Sequence, residues 1–431
     1  MHTRKLSLSA ALAAIVLATA SCGEGPIAPA NNPDDPPNES NDRIDITNDS
    51  DDLGDRINTP GSDIPIDPSS GTRTLAPGVN AAVGASASAL RLTLVAEVLP
   101  PTVEGEVVQA TMVAIRGLNK VMVSYNMAGA PRLGAIDWIK KLDSRPEISA
   151  SATFNDSDIS ALSWDGSYVY AAQATDAVEF AFPAVVERLK LTNDKFTLED
   201  NLRLPLTSFA GTSTMRTNSH IYATSGDGGH VHAFDKSSFA LLGQYPLDDA
   251  RWVASDAAGQ RVVVVQGTPG RIAVFAEGQF PGGSMTLLNT FPFPGADIPE
   301  SKSTAEIAGG KAFIAAGPQG VQIMCLDDGQ ILGSVPRPNP ASLGLDPSVV
   351  VTNAVTVDGD IMFISNGEAG VWVAQGSSDF ETSGCAQQQI TMLGRLRFGD
   401  LQSVNHVEFK NNHLVVAAGL GGVKLVRVSG I

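Results

Sequence analysis

From about residue 90 onward, short apolar runs alternate with glycine-bearing turns. The clearest instance is a run, a turn and a second run: Ala312-Phe313-Ile314-Ala315, then Ala316-Gly317-Pro318-Gln319-Gly320, then Val321-Gln322-Ile323. Met362 to Val373 repeats it around Gly367 and Gly370, and Leu414 to Leu425 repeats it around Gly419 and Gly422. Runs this short, bounded by glycine, read as buried strands joined by tight turns. Looser copies centre on Gly226 and Gly267, and two more, centred on Ala174 and Asn126, carry no glycine at the key place. The positions 126, 174, 226, 267, 317, 367 and 419 are separated by 48, 52, 41, 50, 50 and 52 residues. Units of about 50 residues match the blade of a β-propeller, a four-stranded antiparallel sheet.

The other strands of each blade follow from their neighbours. Hairpin residues such as Asp165-Gly166, Gly309-Gly310, Asp358-Gly359 and Asn411-Asn412 precede the units, so an inner strand lies upstream of each. Outer strands follow, as in Leu241 to Tyr245, Ile331 to Val335 and Met392 to Leu396. The seventh unit reaches Ile431 without one, while Leu90 to Leu99 is a strand with no unit before it. Pairing the two completes the last blade and removes an open sheet edge. The expected fold is therefore all-β: a seven-bladed β-propeller over residues 86–431, closed by its N-terminal strand. An open solenoid would leave that strand without a role.

The beginning of the chain differs. Arg4 and Lys5 precede an uncharged stretch, Leu6 to Ala20, and then Thr19-Ala20-Ser21-Cys22. The stretch is too short to span a bilayer and reads as a signal segment. Residues 1–22 resemble a bacterial lipoprotein signal, which implies a diacylglyceryl group on Cys22 as the mature N-terminus. Gly23 in place of Asp after that cysteine implies sorting to the outer membrane. The membrane is then reached through the lipid alone. Residues 23–85 are rich in Pro, Asn, Ser and Gly. Between Gly23 and Arg73 there are 12 Asp or Glu against 3 Arg and no aromatic residue, so a disordered acidic linker is expected. An EF-hand beginning at Asp49 would need Glu where Pro60 stands, so the acidic run is no calcium loop of that kind. The formal charge of −17 excludes a nucleic-acid binder held by phosphate contacts.

The Ala-x-Gly-x-x-Gly-Val-x-hydrophobic unit resembles the repeat of LVIVD-repeat β-propellers, surface proteins of bacteria and archaea, over roughly residues 90–431. The resemblance implies a fold and a surface location. It supplies no catalytic residues.

Nucleophile elbows, HExxH, phosphate-binding loops and dinucleotide fingerprints are not found intact. Cys325 and Cys385, on neighbouring blades, are either a disulfide or two free thiols. His230 and His232 point to one side of a strand, with Asp227 nearby, as a surface pair or part of a metal site. The candidate ligand-binding face is the one carrying the long connections between blades, with Asp249, Arg251, Trp252, Asn353, Asn405 and His406 around the channel mouth. The expected protein is a lipid-anchored, non-enzymatic, monomeric surface propeller that binds a protein or glycan, with no cofactor or bound metal. The alternatives are a propeller enzyme of lyase, lactonase or hydrolase type working at the channel mouth, and a scaffold subunit of an envelope complex.

Overall fold

The computed structural model describes residues 36–67, 90–295, 301–396, 398 and 403–430. The signal segment, residues 23–35 and 68–85 of the expected linker, and residues 86–89 lie outside them. The described strands form seven antiparallel blades. From the channel outward, blade 1 comprises Gln109–Arg116, Lys120–Asn126, Gly134–Lys140 and Glu147–Phe154. The inner strands of blades 2 to 7 are Ser157–Trp164, Gly211–Arg216, Ala250–Asp256, Ala305–Ala308, Ala354–Asp358 and His406–Lys410. Valine, isoleucine, alanine and phenylalanine on both faces of the middle strands fill the space between blades. The second strand of blade 4, Arg261–Gln266, has Val262 to Val265 all fully buried.

The ring closes as the strand count requires. Arg91–Val98 is the outer strand of blade 7, paired antiparallel to Val423–Ser429 with Val423 opposite Val98 and Ser429 opposite Arg91.

The glycine repeats explain themselves geometrically. In blades 5 to 7 the turn between the second and third strands carries two left-handed residues: Gly317 and Gly320, Gly367 and Gly370, Gly419 and Gly422. A Cβ on Gly422 would lie 2.0 Å from the Val98 carbonyl oxygen, so the closing strand packs directly on that turn. The first glycine of each turn also bridges the next blade, Gly317 to Thr352, Gly367 to Val404 and Gly419 to Ala110. Blades 1 and 2, which carry Asn126 and Ala174, connect the same strands through the longer loops 127–133 and 176–183, which do not need that tight pair.

The linker boundary expected near residue 86 is corrected. Residues 36–67 are laid along the rim of the propeller. Ile44–Thr47 pairs with the outer strand of blade 1, Ile57–Asn58 and Ser62–Ile64 with that of blade 7, and Ile66–Asp67 with that of blade 6. Asn48 Nδ2 donates to the Phe196 carbonyl at 2.8 Å and its Oδ1 accepts from Phe196 N at 3.0 Å, which extends the contact to blade 2. This strap crosses the seam between blades 7 and 1. There Leu53 enters the core shared by the two blades, and Arg56 makes a bidentate contact with Asp137 at 3.1 and 2.5 Å. Asp137 is fully buried and also accepts from the Tyr125 hydroxyl at 2.7 Å. An acidic segment with no aromatic residue cannot make a core of its own. It needs none here, because exposed strand edges supply backbone partners and the blades supply the apolar surface for Ile44, Ile46, Leu53 and Ile64.

Candidate ligand-binding channel

Inner strands of a propeller point alternate side chains at the axis. Here three of those positions stitch the blades together. Glu306, Thr356 and Glu408 occupy one register position in blades 5, 6 and 7. Each accepts a backbone N–H from the next blade around: Val357 to Glu306 at 3.1 Å, Phe409 to Thr356 at 3.0 Å, and Ile115 to Glu408 at 2.7 Å. The last of these again spans the seam. Burial pushes the Glu306 carboxyl up to about 8, with Glu408 nearby adding to the shift against the Thr356 and Val357 contacts. Glu408 is raised in the same direction by burial, opposed by Arg116.

On the face with the long connections a side chain crosses the axis. Lys302, in the connection between blades 4 and 5, reaches over to blades 1 and 2. Its Nζ donates to the Thr111 carbonyl at 2.8 Å and the Ser160 carbonyl at 3.5 Å. Burial pushes its amine down to about 7. Trp252 packs against the apolar clusters on both sides of the ring and donates Nε1–H to Ala305 at 3.0 Å. Its ring centre lies 5.5 Å from that of His406, whose imidazole burial, with Lys302, pushes down to about 3 and so keeps neutral.

Below this floor lies a cavity of about 850 Å³ that runs to the opposite face, where the turns after the inner strands are. All seven inner strands line it. At its mouth stand Arg116, Arg216 and Lys410, with Asp358 and Glu381 at the rim. Arg116 is held down by burial, favoured by Glu408 and disfavoured by Arg216 beside it. Among the described residues, the buried Arg116 Nε and His406 Nδ1 have no hydrogen-bond partner.

The residues expected from sequence separate into two groups. Trp252 and His406 line the cavity, as its floor rather than as an open mouth. The others are engaged inside the wall. Arg251 contacts Asp249 at 2.9 and 2.8 Å and donates to the Ser301 carbonyl at 3.1 Å. Asn405 donates to the Ala110 carbonyl at 2.8 Å, and Asn353 accepts from the Lys302 amide and donates to Val404, at 3.4 and 3.5 Å. The cavity acids and arginines were missed. A signal existed for one of them: Glu306 is the single charge inside an otherwise apolar inner strand, Ala305–Ala308.

Cys325, on the third strand of blade 5, is joined by a disulfide to Cys385 in the long loop of blade 6, with Cα atoms 5.3 Å apart. Asp327 lies near both sulfurs, but bonded cysteines offer no thiolate to a metal. The His230 and His232 rings are 5.7 Å apart; His230 Nδ1 contacts Thr207 Oγ1 at 2.7 Å, and His232 is buried. Asp227 forms no three-ligand group with them among the described residues.

No protein-family model matches the chain. No curated protein sequence is significantly similar to it. Among solved structures it is similar to the WD40 β-propeller domain of Doa1, at 10% identity and a TM-score of 0.49 over 76% of this chain and 95% of that one. It is also similar to BamB from Moraxella catarrhalis, at 13% identity and a TM-score of 0.47 over 86% and 97%. The computationally designed Ika8 protein gives 13% identity and a TM-score of 0.43 over 76% and 98%. The fold assignment itself rests on the strand pairing described above.

Proposed function

We propose that this chain is an exported, lipid-anchored surface β-propeller of the LVIVD-repeat type that binds a protein or glycan without transforming it. The observation that carries export is the Cys325–Cys385 disulfide, which ties two blades across 60 residues of sequence. Such a bond persists in an oxidising compartment. The basic start, the apolar stretch and Cys22 supply a route there and a lipid attachment point. Only residues 23–35 separate that cysteine from the strap, a reach of at most about 45 Å, so the propeller stays close to the membrane that holds it.

The binder reading is supported by the channel. Its polar groups are fixed to neighbouring backbone by the contacts that hold the ring together, and the end where the inner strands finish carries charge from several blades. Two measurements test the proposal. Metabolic labelling with a radiolabelled fatty acid should mark the wild type and not Cys22→Ala, and Cys22→Ala should leave the membrane fraction. Retention of Cys22→Ala at the membrane would reject the anchor. Turnover of an ester, lactone or glycosidic substrate that survives metal chelation and is lost in a channel variant would replace the binder with the enzyme reading.

A further inference from the structure

The cavity mouth differs in charge from the rest of the protein. The chain carries −17 overall, yet three cations, Arg116, Arg216 and Lys410, line this mouth. The acids beside them are of two kinds. Asp358 and Glu381 sit at the rim, and Glu381 is exposed. Glu306 and Glu408 are deeper, and burial favours their neutral forms, in which each can donate one hydrogen bond as well as accept. The mouth therefore holds a cationic edge above two carboxyl groups whose neutral forms burial favours.

Two further features define what fits. The Arg116 Nε is buried without a hydrogen-bond partner among the described residues, and Arg216, exposed, uses its Nε on the Trp164 carbonyl at 2.9 Å. Arg116 also spends Nη1 on the Ile115 carbonyl at 3.1 Å, so it is the remaining Nη groups, the planar Nη fork of Arg216 above all, that are matched to a carboxylate. The floor beneath is formed by Trp252 and His406, an aromatic surface. An apolar ring, hydroxyl-directed donors and acceptors, and a carboxylate clamp within about 850 Å³ suit a short oligosaccharide.

We infer that this mouth, on the face opposite the long connections, recognises a carboxylated saccharide. Arg116 and Arg216 hold the uronate group, and Glu306, Glu408 and Trp252 meet the sugar hydroxyls and ring. The inference rests on the binder reading above and narrows it to one end of the channel and one ligand class.

The test is calorimetric titration of the full chain in detergent with tri-galacturonate, with galactotriose as the neutral counterpart and inorganic phosphate as a bare anion. Tri-galacturonate should bind at one site, and galactotriose at least about tenfold more weakly. Arg216 is exposed and makes one hydrogen bond among the described residues, so Arg216→Gln should fold normally and lose on the order of tenfold to a hundredfold in uronate affinity. Arg132→Gln, on the opposite face, should leave binding unchanged. Equal binding of galactotriose, an unchanged affinity in Arg216→Gln, or displacement of the uronate by phosphate at matching affinity would overturn the inference. Absence of binding by either sugar would overturn it too. A protein partner recovered by cross-linking in that case leaves the broader binder reading standing.

Discussion

Arg56 is the strongest point at which the strap holds the seam of the ring, and its removal has a calculable consequence. Arg56→Ala deletes a bidentate ion pair to a carboxylate with no exposed surface. Breaking one partner of a buried pair costs about 3–5 kcal/mol, mostly because the remaining charge is stranded. The Tyr125 hydroxyl still donates to Asp137, which places the expected loss near the lower bound, about 3 kcal/mol. For a folded body of this length, 1 kcal/mol corresponds to about 1 °C in Tm, so calorimetry should show a fall of about 3–4 °C. The double variant Arg56→Ala/Asp137→Asn removes the stranded charge and should recover at least about 1 kcal/mol relative to Arg56→Ala alone. A shift below 1 °C in the single variant would refute the reasoning. So would a double variant that is worse than either single change, because then the charge is not what the arginine compensates.

Three other outcomes follow from the same structure. Glu306 favours its neutral form well above the ordinary value of 4.5, with its carboxyl near 8. The contribution of Glu306 to stability should therefore decline at up to about 1.4 kcal/mol per pH unit as pH rises from about 4.5 to 8, against the opposite contribution of the buried His406 below about 6.5, so the difference between Glu306→Gln and wild type in denaturant stability should shift in favour of the variant by that slope across the range. Cys325→Ser/Cys385→Ser opens a loop of 60 residues and should cost about 2–4 kcal/mol; wild type treated with reductant should show the same loss by thermal denaturation. Gly422→Ala places a Cβ 2.0 Å from the Val98 carbonyl at a φ of 70°. It should lower Tm more than Gly359→Ala, which also has a positive φ, 60°, but open space around the Cβ.

What was legible in the sequence was whatever repeats. The Gly-x-x-Gly turns of the last three blades recur because each must be left-handed twice and must dock on its neighbours. Ile331–Val335 and Ile390–Leu396 form outer strands that the spare strand before residue 99 matches. The strap was not legible, because composition measures the core a segment could make by itself, and Ile44, Ile46 and Ile64 are buried against blades instead. The channel was legible in part. Strand polarity located Trp252 and His406 at the right level of the axis. The side chain that crosses above them, Lys302, comes from an irregular connection whose path no periodicity describes. The charged end of the channel is the opposite one, lined by Arg116, Arg216, Glu306 and Glu408.

The central claim is that a strand from the N-terminal side of the ring completes the last blade in a defined register. Thr93 lies opposite Arg427 in that pairing. In Thr93→Cys/Arg427→Cys, mild oxidation should join the two ends of the propeller in high yield, seen as a new cross-linked peptide by mass spectrometry and as slower unfolding. Failure of this pair to cross-link, with efficient joining in Thr93→Cys/Lys424→Cys instead, would contradict the closure.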